Sequence, residues 1–417
     1  MISPRPPAIS VKRAATLLCS AHVLSMSGFA TFSALLPLLI ANWRMSNSEA
    51  GAISGMYYAG YMVAVPLLTG ITDQVDARRV YLLACALSSS AALGFAILAH
   101  GFWSALMLQW LAGAGLAGTY MPGLKILSDH IEGPHQSRWV AVYTSTFGVG
   151  AALSLWMAGA TATMAGWRWA FAAAGVGPVL AGSLVYLRLP PRESDPVVKL
   201  TARLVDFRSV FRNRAATGYI LAYAAHCWEL FGFRSWIVAF FTFAGAMRAA
   251  AEPMLPSPAT LAAALNLIGP AASILGNEIA ARIDRPRVIL AIMSVSAALA
   301  CVVGFSAALP EVLSFVLACV YFLAIMGDSA ALTAGLIEAA EPQQRGAAMA
   351  VHSFLGFGAA FAAPVVFGAV LDFTGGNNSV FAWGVAFASL TVGCALASLM
   401  LAVYRRPEIR GQHAPYG

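Results

Sequence analysis

Charged and Pro/Gly-rich punctuation cuts this chain into twelve apolar segments. Each is about 18–27 residues long, the length an α-helix needs to cross roughly 30 Å of hydrocarbon. No other feature limits the fold as tightly. Lipid offers no water to a bare backbone amide, so each segment must satisfy its own peptide groups, which selects helices over strands. Only 10% of the residues are charged and 59% are hydrophobic, with a mean hydropathy of +0.74. A soluble domain carries about 25% charged residues.

The net charge of +7 would suit a nucleic-acid ligand, but its distribution points elsewhere. With the N-terminus placed in the cytoplasm, all but four of the 25 Lys and Arg fall in the tails and inward loops. Arg44, Arg168 and Arg248 lie outside, and Arg234 lies in or near the membrane. The basic residues therefore set orientation, as the positive-inside rule requires. Cys19, Cys85, Cys227, Cys301, Cys319 and Cys394 all fall within spans and form no C-x-x-C pair, so neither a disulfide framework nor a zinc site is expected. The first apolar run, from Lys12-Arg13 to about Ile40, is too long for a signal-peptide core and reads as a retained helix.

The order is regular. Span 1 (about Ala14–Ile40) carries His22, and Asn47 or Ser48 is the expected cap of span 2 (about Ala50–Thr69), which holds Tyr57, Tyr58 and Tyr61. The inward loop Gly70–Arg79 leads to spans 3 (Val80–His100) and 4 (Ser104–Leu124). The small residues Gly113, Gly115 and Gly118 of span 4 permit close helix approach. Span 5 runs to about Met164, and the turn Gly166-Trp167-Arg168-Trp169 opens span 6. The N-terminal half is expected over residues 1–187, a polar cytoplasmic linker over 188–214 and the C-terminal half over 215–417. Spans 7 (Ala215–Gly245) to 12 (from about Ser379) repeat the plan, returning the C-terminus to the cytoplasm.

Four matches in the same order, at nearly one offset, mark a duplication. Ala21-His22 with Gly28-Phe29 echoes Ala225-His226 with Gly232-Phe233, and Asp76-x-x-Arg79-Val80 echoes Asp284-x-x-Arg287-Val288. Gly148-x-Gly150-Ala151-Ala152 echoes Gly356-x-Gly358-Ala359-Ala360, and Arg138 echoes Arg345. Two tandem six-helix halves in the same orientation follow, the parallel-repeat plan of alternating-access transporters.

Over essentially its whole length the chain resembles a major facilitator superfamily transporter. Gly70 to Arg79 resembles the family's loop 2–3 signature, a glycine, an aspartate and an arginine pair, and Gly166-Trp167-Arg168 with Phe171 resembles its span 5–6 turn. The sequence departs from the pattern at Gln74, where a basic residue is usual, and at Gln109, where some proton-coupled members have arginine. Gly148 to Gly159 lacks the proline of the antiporter branch, and the Gly-Trp-Gly-Asn element of nitrate porters is missing. In appearance the chain is nearest to the cyanate-permease-like and nitrate-porter-like group. The resemblance implies an all-α membrane protein of two six-helix bundles whose spans 1, 4, 7 and 10 line a central cavity.

The ionisable residues fall on those spans: His22 on span 1, His226, Glu229 and Arg234 on span 7, and Asp328 on span 10. A charge at that depth costs a few kcal/mol or more and marks a functional candidate. His226 and Glu229, three residues apart, share a helical face and suit proton transfer or, alternatively, a structural hydrogen bond. Arg234 either clamps an anion through paired N–H groups or snorkels to the outer interface beside Trp236. Asp328 suits substrate or proton work; one repeat earlier the chain reads Thr119-Tyr120-Met121, with no acid. His352 reads as packing, while Tyr57, Tyr61, Trp228 and Asn266 either line the cavity or pack. The loop charges Asp73, Arg78, Arg79, Asp284 and Arg287 are expected to share in gating by latching the halves when the outer side is open, alongside their topological role.

The expected function is secondary active transport of a small solute, with an anion favoured, by proton-coupled rocker-switch alternating access. The expected site is a bacterial inner membrane, and the expected partners are the solute, protons and lipid, with the chain working as a monomer. No cofactor or nucleic acid is expected, no G-x-x-x-x-G-K-[ST] motif supports ATP drive, and no enzyme motif is present. The alternatives are proton-driven efflux of drugs or metabolites, and a transporter-fold receptor or assembly protein.

Overall fold

A computed structural model describes residues 10–72, 74–131, 136–191, 207–248 and 255–395. Among these the regular structure is all helical, and eight stretches are long and apolar enough to cross a membrane, two of them, Arg285–Ala308 and Glu311–Ala339, built from two consecutive helical elements. Spans 2 to 6 are the helices Asn47–Ile71, Ala77–Leu98, Phe102–His130, Gln136–Ala165 and Trp167–Arg188. After the short helix Phe207–Arg212 come spans 7 (Arg214–Ala246), 8 (Pro258–Arg282), 9 (Arg285–Val303, with a 3-10 turn Gly304–Ala308) and 11 (Arg345–Thr374). Span 12 begins with Val380–Ser389.

Spans 1 and 10 differ from the expected continuous helices. Span 1 is two half-helices, Val11–Ser25 and Thr31–Trp43, with a turn of Met26 to Ala30 between them. The freed backbone is repaired by neighbouring spans: Ser154 Oγ accepts from Ala30 N and donates to Ser27 O, and Ser27 Oγ donates to Ala174 O. Irregular backbone at this depth survives only when buried and satisfied in this way. Span 10 is Glu311–Gly327 followed by Ser329–Ala339, interrupted at Asp328.

Two ends also differ from the sequence reading. Span 4 stays helical to His130, past the expected loop start at Lys125. The cap of span 2 is Ser46, in a reciprocal box with Glu49, and not Asn47 or Ser48. Those two residues are the first positions of the helix, and their amides, which have no acceptor within it, donate to Asp372 of the other half.

The two halves meet along matched crossings, span 2 on span 11 and span 5 on span 8, while the second half-helix of span 1 lies against span 7. The first two crossings are repeat images of each other, as a pseudo-twofold axis requires. Span 2 and span 11 approach backbone to backbone: a Cβ on Gly51 would overlap the Pro364 carbonyl, and one on Gly368 would overlap that of Asn47. Within the N-terminal half, Gly113 of the span 4 ladder and Gly60 make the same kind of approach against Tyr57 and Trp110. Small residues let backbones touch where lipid gives no hydrophobic drive to associate.

This seam seals one end of the molecule. It runs from Asn47 and Asp372 inward to the rings of Tyr61 and Phe357, whose centroids are 4.0 Å apart. Gly51→Leu is expected to prop the seam open. A single cysteine at the buried Ser54 position should then react faster with a membrane-impermeant maleimide than it does on the Gly51 background, and unchanged labelling would contradict this packing.

Candidate functional site

Arg234 lies slightly past the middle of span 7 toward the sealed end. It is only 9% exposed. Its guanidinium carbon sits 5.5 Å from the ring of Phe147, 5.8 Å from Phe231 and 5.7 Å from Phe322. Phe147 belongs to span 5 of one half, and Phe231 and Phe322 to the other, so the cation lies at the meeting of the halves. No carboxylate or hydrogen-bond acceptor among the described residues engages it, and Nε is buried without a partner. Each ring contributes about 0.5–2 kcal/mol at a desolvated site. A buried ion costs several kcal/mol to desolvate, so the rings hold the cation but leave its N–H edge unsatisfied. The snorkelling alternative does not fit: Trp236 is fully buried, and its Nε1 donates to Pro364 O.

The other intramembrane charges are met inside their own halves. His226 Nδ1 lies 2.7 Å from Asp328 Oδ1, at ion-pair distance without the alignment of a hydrogen bond. The pair is flanked by Tyr223, stacked on both His226 and His352, with Thr333 3.5 Å from His352 Nε2. His226 is eight residues before Arg234, about 12 Å along a helix at 1.5 Å per residue, toward the unsealed end. In the first half His22 makes different contacts. Thr146 Oγ1 donates to Tyr143 O, so the 2.7 Å contact to His22 Nδ1 requires the ring nitrogen to donate. Nε2 is buried without a partner among the described residues. His22 stacks between Tyr143 and Tyr120, and Tyr120 is the repeat counterpart of Asp328. One half carries a histidine–carboxylate pair where its copy carries a histidine stacked between two tyrosines.

Glu229 turns away from His226, although the two were expected to share a face. Its Oε1 accepts from Ser296 Oγ at 2.8 Å and Tyr321 OH at 2.9 Å, and Oε2 accepts from Cys394 Sγ at 3.0 Å. The carboxylate thus ties span 7 to spans 9, 10 and 12 inside the C-terminal bundle. The repeat images of Glu229 and Ser296 are Ser25 and Ser88. There the N-terminal bundle has a cavity of about 20 Å³, lined also by Gln109 and Tyr57, enough for one water.

Among the loop residues, Arg78 donates from Nη2 to Tyr186 O at 2.7 Å and lies over that tyrosine's ring. Asp284 caps span 9 by accepting from Arg287 N, and both Arg79 and Arg287 are exposed. Among the described residues at this end, Arg285 pairs with Glu338 at 2.8 and 3.2 Å, with Asn277 as a further acceptor, and Arg282 lies 3.7 Å from Glu278. Asp73 lies outside the described residues.

Two parts of the site carry no signal in the sequence reading. The aromatic shell of Arg234 consists of phenylalanines that are ordinary in an apolar span. Asp372, near the end of span 11, accepts four hydrogen bonds at the sealed end: Asn47 N at 3.0 Å, Asn47 Nδ2 at 2.8 Å, Ser48 N at 2.8 Å and Ser48 Oγ at 2.6 Å. A carboxylate on a helix N-terminus also meets the positive end of the helix dipole.

Glu229→Gln presents one acceptor and an unwanted donor to three donors. It is expected to cost about 1–3 kcal/mol, the penalty for stranding buried polar groups, read as a lower melting temperature in detergent. A melting temperature equal to wild type would contradict the observed network.

The sequence model described as Major Facilitator Superfamily matches residues 18–264. A protein named as an uncharacterized MFS-type transporter, YcaD, of Escherichia coli O139:H28 (strain E24377A / ETEC), is 30% identical over 139 residues, covering 33% of this chain and 36% of its own length. The same protein of Escherichia coli O157:H7 (strain EC4115 / EHEC) matches to the same extent, so the chain spans little more than a third of these curated relatives. The fold is similar to that of a bacterial homologue of the human lysosomal transporter Spinster, in an inward-facing and occupied conformation, with a TM-score of 0.73 at 14% identity over 96% of this chain and 97% of that one. It is equally similar to a point mutant of the nucleoside transporter NupG, with a TM-score of 0.73 at 12% identity over 95% of this chain and 100% of that one. With the family's sequence model covering more than half of its length and its two-bundle fold, this chain belongs to the Major Facilitator Superfamily.

Proposed function

We propose that this protein is a secondary active transporter of a small anion, working by proton-coupled alternating access in a bacterial inner membrane. The observation that carries the reading is the buried guanidinium of Arg234, set between the two halves with no anionic partner among the described residues. An uncompensated cation at this depth is a functional feature by default. Its N–H edge is the geometry that carboxylates and related oxyanions engage. The sequence's likeness to the cyanate-permease-like and nitrate-porter-like group is in keeping with an anionic solute.

In this reading the sealed end is extracytoplasmic. It carries the turns with Arg44, Arg168 and Arg248, while the opposite end has the clustered Lys and Arg. The conformation is then inward-facing, with solute leaving past the level of His226 and Asp328. These two form the coupling pair: a His and a carboxylate in contact can hold or release a proton as the nearby anion arrives or departs. Glu229 braces the bundle that carries them. On opening to the outside, the Asp372 cap breaks and the seam parts. The loop charges Asp73, Arg78, Arg79, Asp284 and Arg287 then share in holding the cytoplasmic end shut.

The test uses sealed proteoliposomes with a trapped pH dye and a panel of small anions, amino acids, sugars and cationic drugs. Wild type is expected to give an anion-dependent pH change that Arg234→Gln abolishes at unchanged melting temperature. Asp328→Asn should keep exchange of labelled anion but lose the pH change. A signal from cationic drugs and none from anions would favour efflux instead, and silence for every solute would favour the receptor reading. Asp372→Asn is expected to weaken the seal by about 1–2 kcal/mol, from lost charge-assisted hydrogen bonds. Faster external labelling of a cysteine at Ser54 would report it, and unchanged labelling would place the seal elsewhere.

A further inference from the structure

We infer that the anion is a monocarboxylate with a flat apolar body, such as an aromatic acid, and not an inorganic anion or a dicarboxylate. This rests on the anion reading above and narrows it. Arg234 is the one Lys or Arg placed in the middle of a span among the described residues. The two imidazoles on spans 1 and 7 are already engaged, His22 with Thr146 and His226 with Asp328. The site therefore offers one positive charge. A second negative charge on the ligand would be buried with no cation to meet it.

The walls select the body. The faces of Phe147, Phe231 and Phe322 turn to the guanidinium. The shell continues outward through Phe29 against Phe147 at 5.0 Å, Tyr58 against Phe231 at 4.5 Å and Phe357 against Phe231 at 5.6 Å. A nitrate or phosphate needs donors around its whole surface. Here it would meet N–H groups on one side and ring faces on the others. A carboxylate attached to a ring fits this arrangement: its two oxygens take the guanidinium edge, and its apolar body lies among the aromatics.

A second unsatisfied group borders the same shell. Asn266 of span 8 is buried and donates from Nδ2 to Ala262 O, leaving Oδ1 without a partner. Its backbone packs on Gly148, next to Phe147, and Gly269 one turn on packs on Phe322. Its free acceptor suits a ring hydroxyl or amine on the ligand, so a hydroxylated aromatic acid should bind more tightly than the plain one.

The experiment is ligand-induced thermal stabilisation of the purified full chain, followed by counterflow in proteoliposomes. The probes are benzoate, 4-hydroxybenzoate, phthalate, nitrate and the neutral benzamide. Benzoate and 4-hydroxybenzoate are expected to stabilise and exchange, with apparent affinities at least tenfold above those of phthalate, nitrate and benzamide. Phe147→Leu, which removes one ring face from the guanidinium, should weaken benzoate about tenfold, and Phe147→Tyr, which keeps that face, should retain benzoate binding. Asn266→Leu should erase the advantage of the hydroxyl. Preference for nitrate or phthalate would overturn this inference and leave the anion reading standing. Binding of benzamide as tight as benzoate would overturn both, as would failure of every anion to bind.

Discussion

Among the described residues the guanidinium of Arg234 is held by aromatic faces with no carboxylate partner, and much of the surrounding architecture can be understood from that fact. A cation in a bilayer-spanning bundle must be desolvated, and three ring contacts offset only part of the cost. The arrangement is tolerable because the halves close around it. The glycine-mediated seam of span 2 on span 11 and the crossing of span 5 on span 8 bring Phe147 from one half onto a residue of the other. The cation is therefore sensitive to the relation between the halves. An anion on its N–H edge would change which arrangement of the halves is more stable, and that differential affinity is what a solute needs to drive a conformational cycle.

The duplication explains the rest of the polar interior through its asymmetries. His22 and His226 occupy matching places, but one stacks between tyrosines and the other meets Asp328. Ser25 and Glu229 also match; one lines a water-sized cavity and the other fills its space with a fully hydrogen-bonded carboxylate. The N-terminal half thus has no carboxylate at the positions where the C-terminal half has Glu229 and Asp328. In the proposed cycle the C-terminal half supplies the charges, and the N-terminal half supplies the ring of Phe147 and the turn in span 1.

Much of the architecture was legible because lipid simplifies the code. Apolar runs of membrane-crossing length must be helices, so among the described residues the span ends fall within a few residues of those expected, except at His130 and at the interruptions in spans 1 and 10. The charged residues were conspicuous against an apolar background. Their directions were not legible, because a helix apolar on all sides has no polar stripe to fix its rotation. Spacing put Glu229 and His226 on one face, yet small differences in direction send one to Ser296, Tyr321 and Cys394 and the other to Asp328. Phe147 and Asp372 were invisible for another reason: their partners lie in the other half, and no local pattern records a contact across the repeat.

The most direct measurement is the ¹⁵N–¹H resonance of Arg234 Nε in the full chain in nanodiscs, assigned by its loss in Arg234→Lys. On titration with a transported anion it should move and saturate at the concentration that half-saturates flux. If flux saturates while the resonance stays where it was, the anion binds elsewhere, and the buried guanidinium is a structural element of the seam.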